Sequence, residues 1–135
     1  MDKLHIRSRD QSGQSLLETA LMMVVIFTVV FWIFEIGWLM YTYSVLADAA
    51  NEGVRYAIVH SGGDPAGTQT VVKTVASASM HNLGGLSTSV TFPDGSATPP
   101  NRVRVTVTYP YVPYLPETLP APTMRSYAEG RMVAQ

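Results

Sequence analysis

The chain has 135 residues, a formal net charge of −1, no cysteine, and only 14% charged against 47% hydrophobic residues. That length suits one modest domain, the missing cysteines exclude disulfides, lipoprotein anchoring and thiolate chemistry, and the balanced charge offers no footprint for nucleic acid. The apolar residues concentrate between Leu16 and Leu46, which points to a membrane segment followed by a soluble domain.

Residues 1–13 are polar, set Lys3, Arg7 and Arg9 against Asp2 and Asp10, and read as a short flexible leader. From Thr19 to Phe34 there is no charge. With Leu16 and Leu17 before it and Ile36 to Met40 after Glu35, the run is long enough for a bilayer, whose ~30 Å hydrocarbon core needs about 20 helical residues. The cations before the run and Asp48 and Glu52 after it favour an N-inside orientation. Trp32, Trp38, Tyr41 and Tyr43 fit an aromatic belt at a membrane interface, with ordinary core aromatics as the alternative. A cleaved secretory signal is the main competitor, but its small-residue site is missing where it is needed: Ala47-Asp48-Ala49 lies too far beyond Phe34.

Val45 to His60 contains no proline and continues the upstream pattern, predicting one helix from about Gln14 to about Val59, roughly 70 Å long. It should stop at Ser61-Gly62-Gly63-Asp64-Pro65. Ala49, Gly53 and Ala57 recur at i, i+4 and i+8; they form either a shallow seam for another backbone or a tolerated glycine in a packed helix. Glu52 and Arg55 have the spacing of an intrahelical ion pair.

Thr68 to Leu83 reads as a short second helix stopping at Gly84-Gly85, although its valines and threonines also suit a strand. The clearest strand is Arg102 to Tyr109, in which Val103, Val105, Val107 and Tyr109 alternate with Arg102, Arg104, Thr106 and Thr108. Its partner is Ser87 to Phe92, joined through Pro93-Asp94-Gly95 and Pro99-Pro100. The arginines form a solvated face or, alternatively, a partner-binding patch. Prolines at 110, 113, 116, 120 and 122 imply an extended crossover before a last strand, about Met124 to Ala134.

The expected fold is therefore α+β: a long N-terminal helix, membrane-spanning in its first half, packed in its second half against a three-stranded antiparallel sheet plus a short second helix. Residues 1–13 form the leader, 14–60 the membrane-spanning and extended helix, and 61–135 a small extracytoplasmic α+β domain. His5, His60 and His81 are scattered without metal-ligand spacing, and no nucleophile elbow, phosphate loop or dinucleotide fingerprint occurs. Glu18 and Glu35 lie about 25 Å apart along one helix and cannot flank a single bond. Neither an enzyme nor a cofactor is expected.

The order of Gly13, Glu18, the apolar run, Phe34-Glu35-Ile36-Gly37 and AANEGVRYA at Ala49 to Ala57, with Tyr109-Pro110-Tyr111 after a valine-threonine strand, resembles the TadE-like pseudopilins of bacterial tight-adherence (Flp, type IVc) pilus systems. The resemblance implies cleavage by a prepilin peptidase between Gly13 and Gln14, leaving Glu18 as the fifth residue of the mature chain. Thr19 stands where the family often has an aromatic; Glu35, Gly37, Glu52, Arg55 and Tyr56 fall at motif positions. It further implies a minor pilin or pseudopilin in the bacterial inner membrane, single-pass, with a cytoplasmic N-terminus and an extracytoplasmic domain, open to incorporation in a surface pilus for cell adhesion. The implied partners are other pilin-like subunits, the prepilin peptidase, an inner-membrane assembly platform, membrane lipid and a secretion ATPase acting indirectly.

On this reading cleavage creates an ammonium at Gln14, one helical turn from the Glu18 carboxylate, which can pair with it or with that of a neighbouring subunit. The plainer alternative is that Glu18 marks the interfacial start of a membrane helix. Glu35, a functional candidate as an intramembrane acid, is read preferentially as reaching the outer headgroups. The overall alternatives are an unprocessed, signal-anchored protein whose outer domain binds an envelope partner or ligand, and a small anchored enzyme.

Overall fold

A computed structural model describes residues 7–80, 82–114 and 121–134, with side chains from residue 13 onward apart from that of residue 61. The start of the leader with His5, His81, and the crossover prolines 116 and 120 lie outside the described residues. The elements are helix α1 (Arg7–Val59), helix α2 (Pro65–Ser79) and strands β1 (Ser87–Thr91), β2 (Arg102–Pro110) and β3 (Thr123–Arg131). The fold is α+β, and the chain divides into two compact units, Met1–Gly37 and Trp38–Gln135.

In the first unit α1 begins at Arg7, ahead of the expected Gln14, so residues 7–13 are helical where the polar sequence reads as a flexible leader. No proline stands there, and a single interior glycine costs only about 1 kcal/mol relative to alanine, too little to break a helix by itself. Gly13 is therefore passed through.

The second unit starts on the same helix. α1 ends at Val59 as expected, because Gly62 and Gly63 turn left-handed (φ 65° and 71°) and the Gly63 N–H caps back onto the His60 carbonyl (2.9 Å). α2 departs from expectation at both ends. It starts at Pro65 because Asp64 is its N-cap, accepting from the Gly67 N–H (3.2 Å), and proline is tolerated at the first helical position. It ends at Ser79, since Met80 is already extended (φ −118°, ψ 129°), four residues ahead of Gly84.

The sheet has the order β1-β2-β3, antiparallel throughout, with Val105 opposite Val90 on one side and Ala128 on the other. Its inner face carries Val103, Val105, Val107 and Tyr109, all buried; α1 contributes Leu46, Ala49, Ala50, Val54 and Ala57 to the same core, and α2 contributes Val72 and Ala76. Each fully buried valine or leucine is worth about 1.5–3 kcal/mol over exposure. β3 stops at Arg131, short of the expected Ala134, because the following backbone turns to other partners: Met132 N–H donates to the Asn101 carbonyl (3.0 Å) and Val133 N–H to the Ile58 carbonyl (3.1 Å).

On the outer face Arg102 donates to Asp94 (2.8 Å) and lies 3.6 Å from Glu129, which also binds Arg104. The Arg104 guanidinium sits 5.2 Å from the Tyr127 ring centroid. Thr106, which alternates with the inward-facing valines, is also buried, because it sits on the central strand between Ser89 and Tyr127. Hydrogen bonds from the Arg102 side chain and backbone hold the Asp94 carboxyl down at about 2, from 3.8. The native state thus binds this proton less readily than the unfolded chain, so the pair's stabilisation is present above pH 3.8 and is lost as pH falls towards 2. Asp94→Asn should flatten that part of the stability curve, measured by chemical denaturation at stepped pH.

Candidate functional site

The first unit presents the apolar run without cover. Every described residue from Gly13 to Phe34 is exposed, and the exposure goes all round the helix, with Leu17 at 73% and Phe34 at 71%. A helix that is apolar on every face has no stable place in water; it needs an apolar surrounding. Its internal polar groups are arranged for one. The Thr19 hydroxyl donates to the Ser15 carbonyl (2.9 Å) and the Thr28 hydroxyl to the Val24 carbonyl (2.8 Å), so neither leaves an unmet donor on the apolar surface. By length and composition, α1 from Gly13 onward can cross a membrane.

At the near end of the run, Gly13, Gln14 and Glu18 are all exposed, and nothing lies within 4 Å of where a Gly13 side chain would begin. Gln14 and Glu18 stand four residues apart, one turn along the helix, about 6 Å at the standard rise. At the far end, Glu35 is 4% exposed and has an interaction partner, while Phe34 and Ile36 beside it are exposed. Gly37 is open, with no atom within 4 Å of an added Cβ.

The motif block at Ala49 to Ala57 lies in the second unit and serves its interior. Ala49, Gly53 and Ala57 are buried there, and a Cβ on Gly53 would stand 2.7 Å from Val72 and 3.2 Å from Val105. The small-residue seam is thus filled by the chain's own α2 and β2, which is the packed-helix alternative of the two that the spacing left open. Glu52 and Arg55 form the anticipated exposed i, i+3 pair (3.4 Å). Tyr56 builds the joint between the helices: its hydroxyl donates to Asp64 (3.0 Å), its carbonyl accepts from His60 Nδ1 (2.8 Å), and the two rings stack at 3.8 Å. The hydrogen bond to the Asp64 carboxylate, with burial, raises the Tyr56 hydroxyl above its ordinary value. Asp64 was missed as a partner; Asp-Pro ahead of an apolar periodic run was the available N-cap signal.

Elsewhere in the second unit, a cavity of about 160 Å³ opens between Trp38, Met80, Tyr109 and the segment Tyr111–Tyr114. It is lined mainly by aromatic and apolar groups, and its Tyr109 hydroxyl donates to the Asn82 carbonyl (3.1 Å). Among the described residues no group of three or more His, Cys, Asp or Glu could hold a metal ion.

The family described as TadE-like protein matches residues 13–55. No curated protein and no solved structure matches the chain. The family match opens on Gly13, takes in Glu18, the exposed apolar run, Glu35, Gly37, Glu52 and Arg55, and leaves Tyr56, α2 and the sheet outside. Residues 13–55 thus match the family that the motifs of the sequence resemble.

Proposed function

We propose that the chain is a minor pilin-like subunit of a bacterial tight-adherence pilus, held in the inner membrane by α1 with its N-terminus cytoplasmic and matured by a prepilin peptidase after Gly13. The observation that carries this reading is the coincidence of the family match, beginning at Gly13, with a helix that is apolar and uncovered around its whole circumference. Its work is structural. Because the Ala49, Gly53 and Ala57 seam is spent inside the second unit, lateral association with other pilin-like subunits falls to residues 16–34. In the membrane those side chains meet lipid; in an assembly they meet the same faces of neighbouring helices. The inner-membrane platform and, indirectly, a secretion ATPase complete the set of partners. No cofactor takes part.

Glu18 has a physical role in this scheme. Cleavage leaves an ammonium on Gln14 one turn away, and pairing the two charges offsets the desolvation that each suffers in an apolar bundle. The test is the mature N-terminus. Intact mass and N-terminal sequencing of protein from native cells should show a chain beginning at Gln14; a chain beginning at Met1 in a pilus-producing cell supports an unprocessed signal anchor instead. Gly13→Ala should accumulate essentially all of the protein at precursor mass, still membrane-inserted. Folding does not confound this variant, because a methyl at Gly13 meets nothing within 4 Å and alanine favours the helix.

A further inference from the structure

We propose that the segment Pro110–Tyr114 of the second unit is a lipid-contacting foot, seated with Trp38 and Tyr41 in the headgroup region of the outer leaflet. The proposal rests on the reading of α1 as a membrane span. It does not follow from that reading, because it concerns a segment that leaves the sheet far along the chain.

Three observations converge on it. Tyr114 packs edge-on against Trp38, with ring centroids 5.5 Å apart, and Trp38 in turn lies 5.4 Å from Tyr41, so the segment after β2 and the helix form one aromatic cluster. The cluster is open: Val112 is 58% and Tyr114 59% exposed, and Met40 and Tyr41 beside Trp38 are exposed as well. Its composition is that of a membrane interface, with rings that present an apolar body and a hydrogen-bonding tip, and with no charged residue from Pro110 to Tyr114 or from Ile36 to Tyr43.

The occupant follows from continuity. Trp38 stands four residues past Phe34, the last residue of the charge-free run, about one helical turn. A helix that crosses the bilayer with that run places Trp38 and Tyr41 at headgroup level, and a side chain held against Trp38 is placed there with it. Two prolines, Pro110 and Pro113, restrict the segment's backbone. It therefore presents Val112 and Tyr114 at low entropic cost, and the second unit is tethered to the leaflet at a second point besides the helix.

The chain has no cysteine, so single-cysteine variants of the full-length protein can be spin-labelled cleanly. Val112→Cys, Val25→Cys and Thr98→Cys, reconstituted in phosphatidylethanolamine and phosphatidylglycerol vesicles, should be compared for collision with oxygen and with a water-soluble nickel chelate. The label at position 112 should be several-fold less accessible to the chelate than that at position 98, and Tyr114→Asp in the same background should restore aqueous accessibility while leaving the far-ultraviolet circular dichroism and the melting temperature of the fold unchanged. Chelate access at 112 equal to that at 98, with position 25 protected, overturns the foot and leaves the span standing. Chelate access at position 25 overturns the span, and the foot with it. Protection at 112 accompanied by spin–spin broadening that disappears on dilution with unlabelled protein assigns the patch to a second copy of the chain and also overturns the proposal.

Discussion

Gly53→Leu should abolish the folded structure of residues 38–135, and Gly53→Ala should lower its melting temperature by several degrees. Gly53 sits where α1, α2 and β2 converge: an added Cβ stands 2.7 Å from Val72 Cγ2, 3.2 Å from Val105 Cγ1 and 3.5 Å from Thr68 Cγ2. These neighbours are themselves fully buried, and each is β-branched and stiff, so none can swing aside. Overpacking of this kind costs about 1–3 kcal/mol for a small insertion, against at most about 1 kcal/mol gained by alanine over glycine in a helix. For a unit of this size each net kcal/mol lowers the melting temperature by roughly 4–8 °C. Leucine adds three further carbons with no space to enter. Thermal melts of the full chain in detergent, followed by near-ultraviolet circular dichroism, give the readout. Gly37→Ala is the control: nothing lies near its Cβ, and it should melt at or slightly above the parent. A Gly53→Ala variant that melts no lower than the parent would show that the three elements do not approach this closely.

Glu18→Ala should leave membrane insertion intact and lose subunit association. Insertion depends on the charge-free run, which the variant only lengthens. Association, on the proposed reading, buries the Gln14 ammonium among apolar helices, and breaking a buried ion pair by removing one partner costs about 3–5 kcal/mol. At about 1.4 kcal/mol per factor of ten, that is a loss of roughly a hundred- to a thousandfold or more in the association constant. Crosslinking through cysteines introduced along residues 16–34, together with pilus output, measures it. Unchanged crosslinking and output would reduce Glu18 to a marker of the helix start.

Local signals in the chain were sufficient for much of the architecture. The uncharged run from Thr19 to Phe34, the strand alternation at Val103, Val105 and Val107 and the stop after Val59 all depend on neighbours a few residues apart, and periodicity records those directly. Element ends were less legible where one residue serves two elements. Asp64 and Pro65 both follow the end of α1 and start α2, and a reading that treats them only as a breaker begins α2 too late.

What a small or charged residue faces was a different matter. Spacing alone showed that Ala49, Gly53 and Ala57 line one side of α1, yet a seam of that kind suits a foreign helix and the chain's own sheet equally well. Only the packing of Val72 and Val105 into it decided between them. Likewise the position of Glu35 past the apolar run suggested an outward-reaching acid, and nothing in its local spacing shows that it is only 4% exposed. The sequence by itself determined which segments are helix, strand and apolar run, because those depend on local period and composition. The tertiary structure decided which faces are already occupied, because occupancy depends on residues brought together from distant parts of the chain.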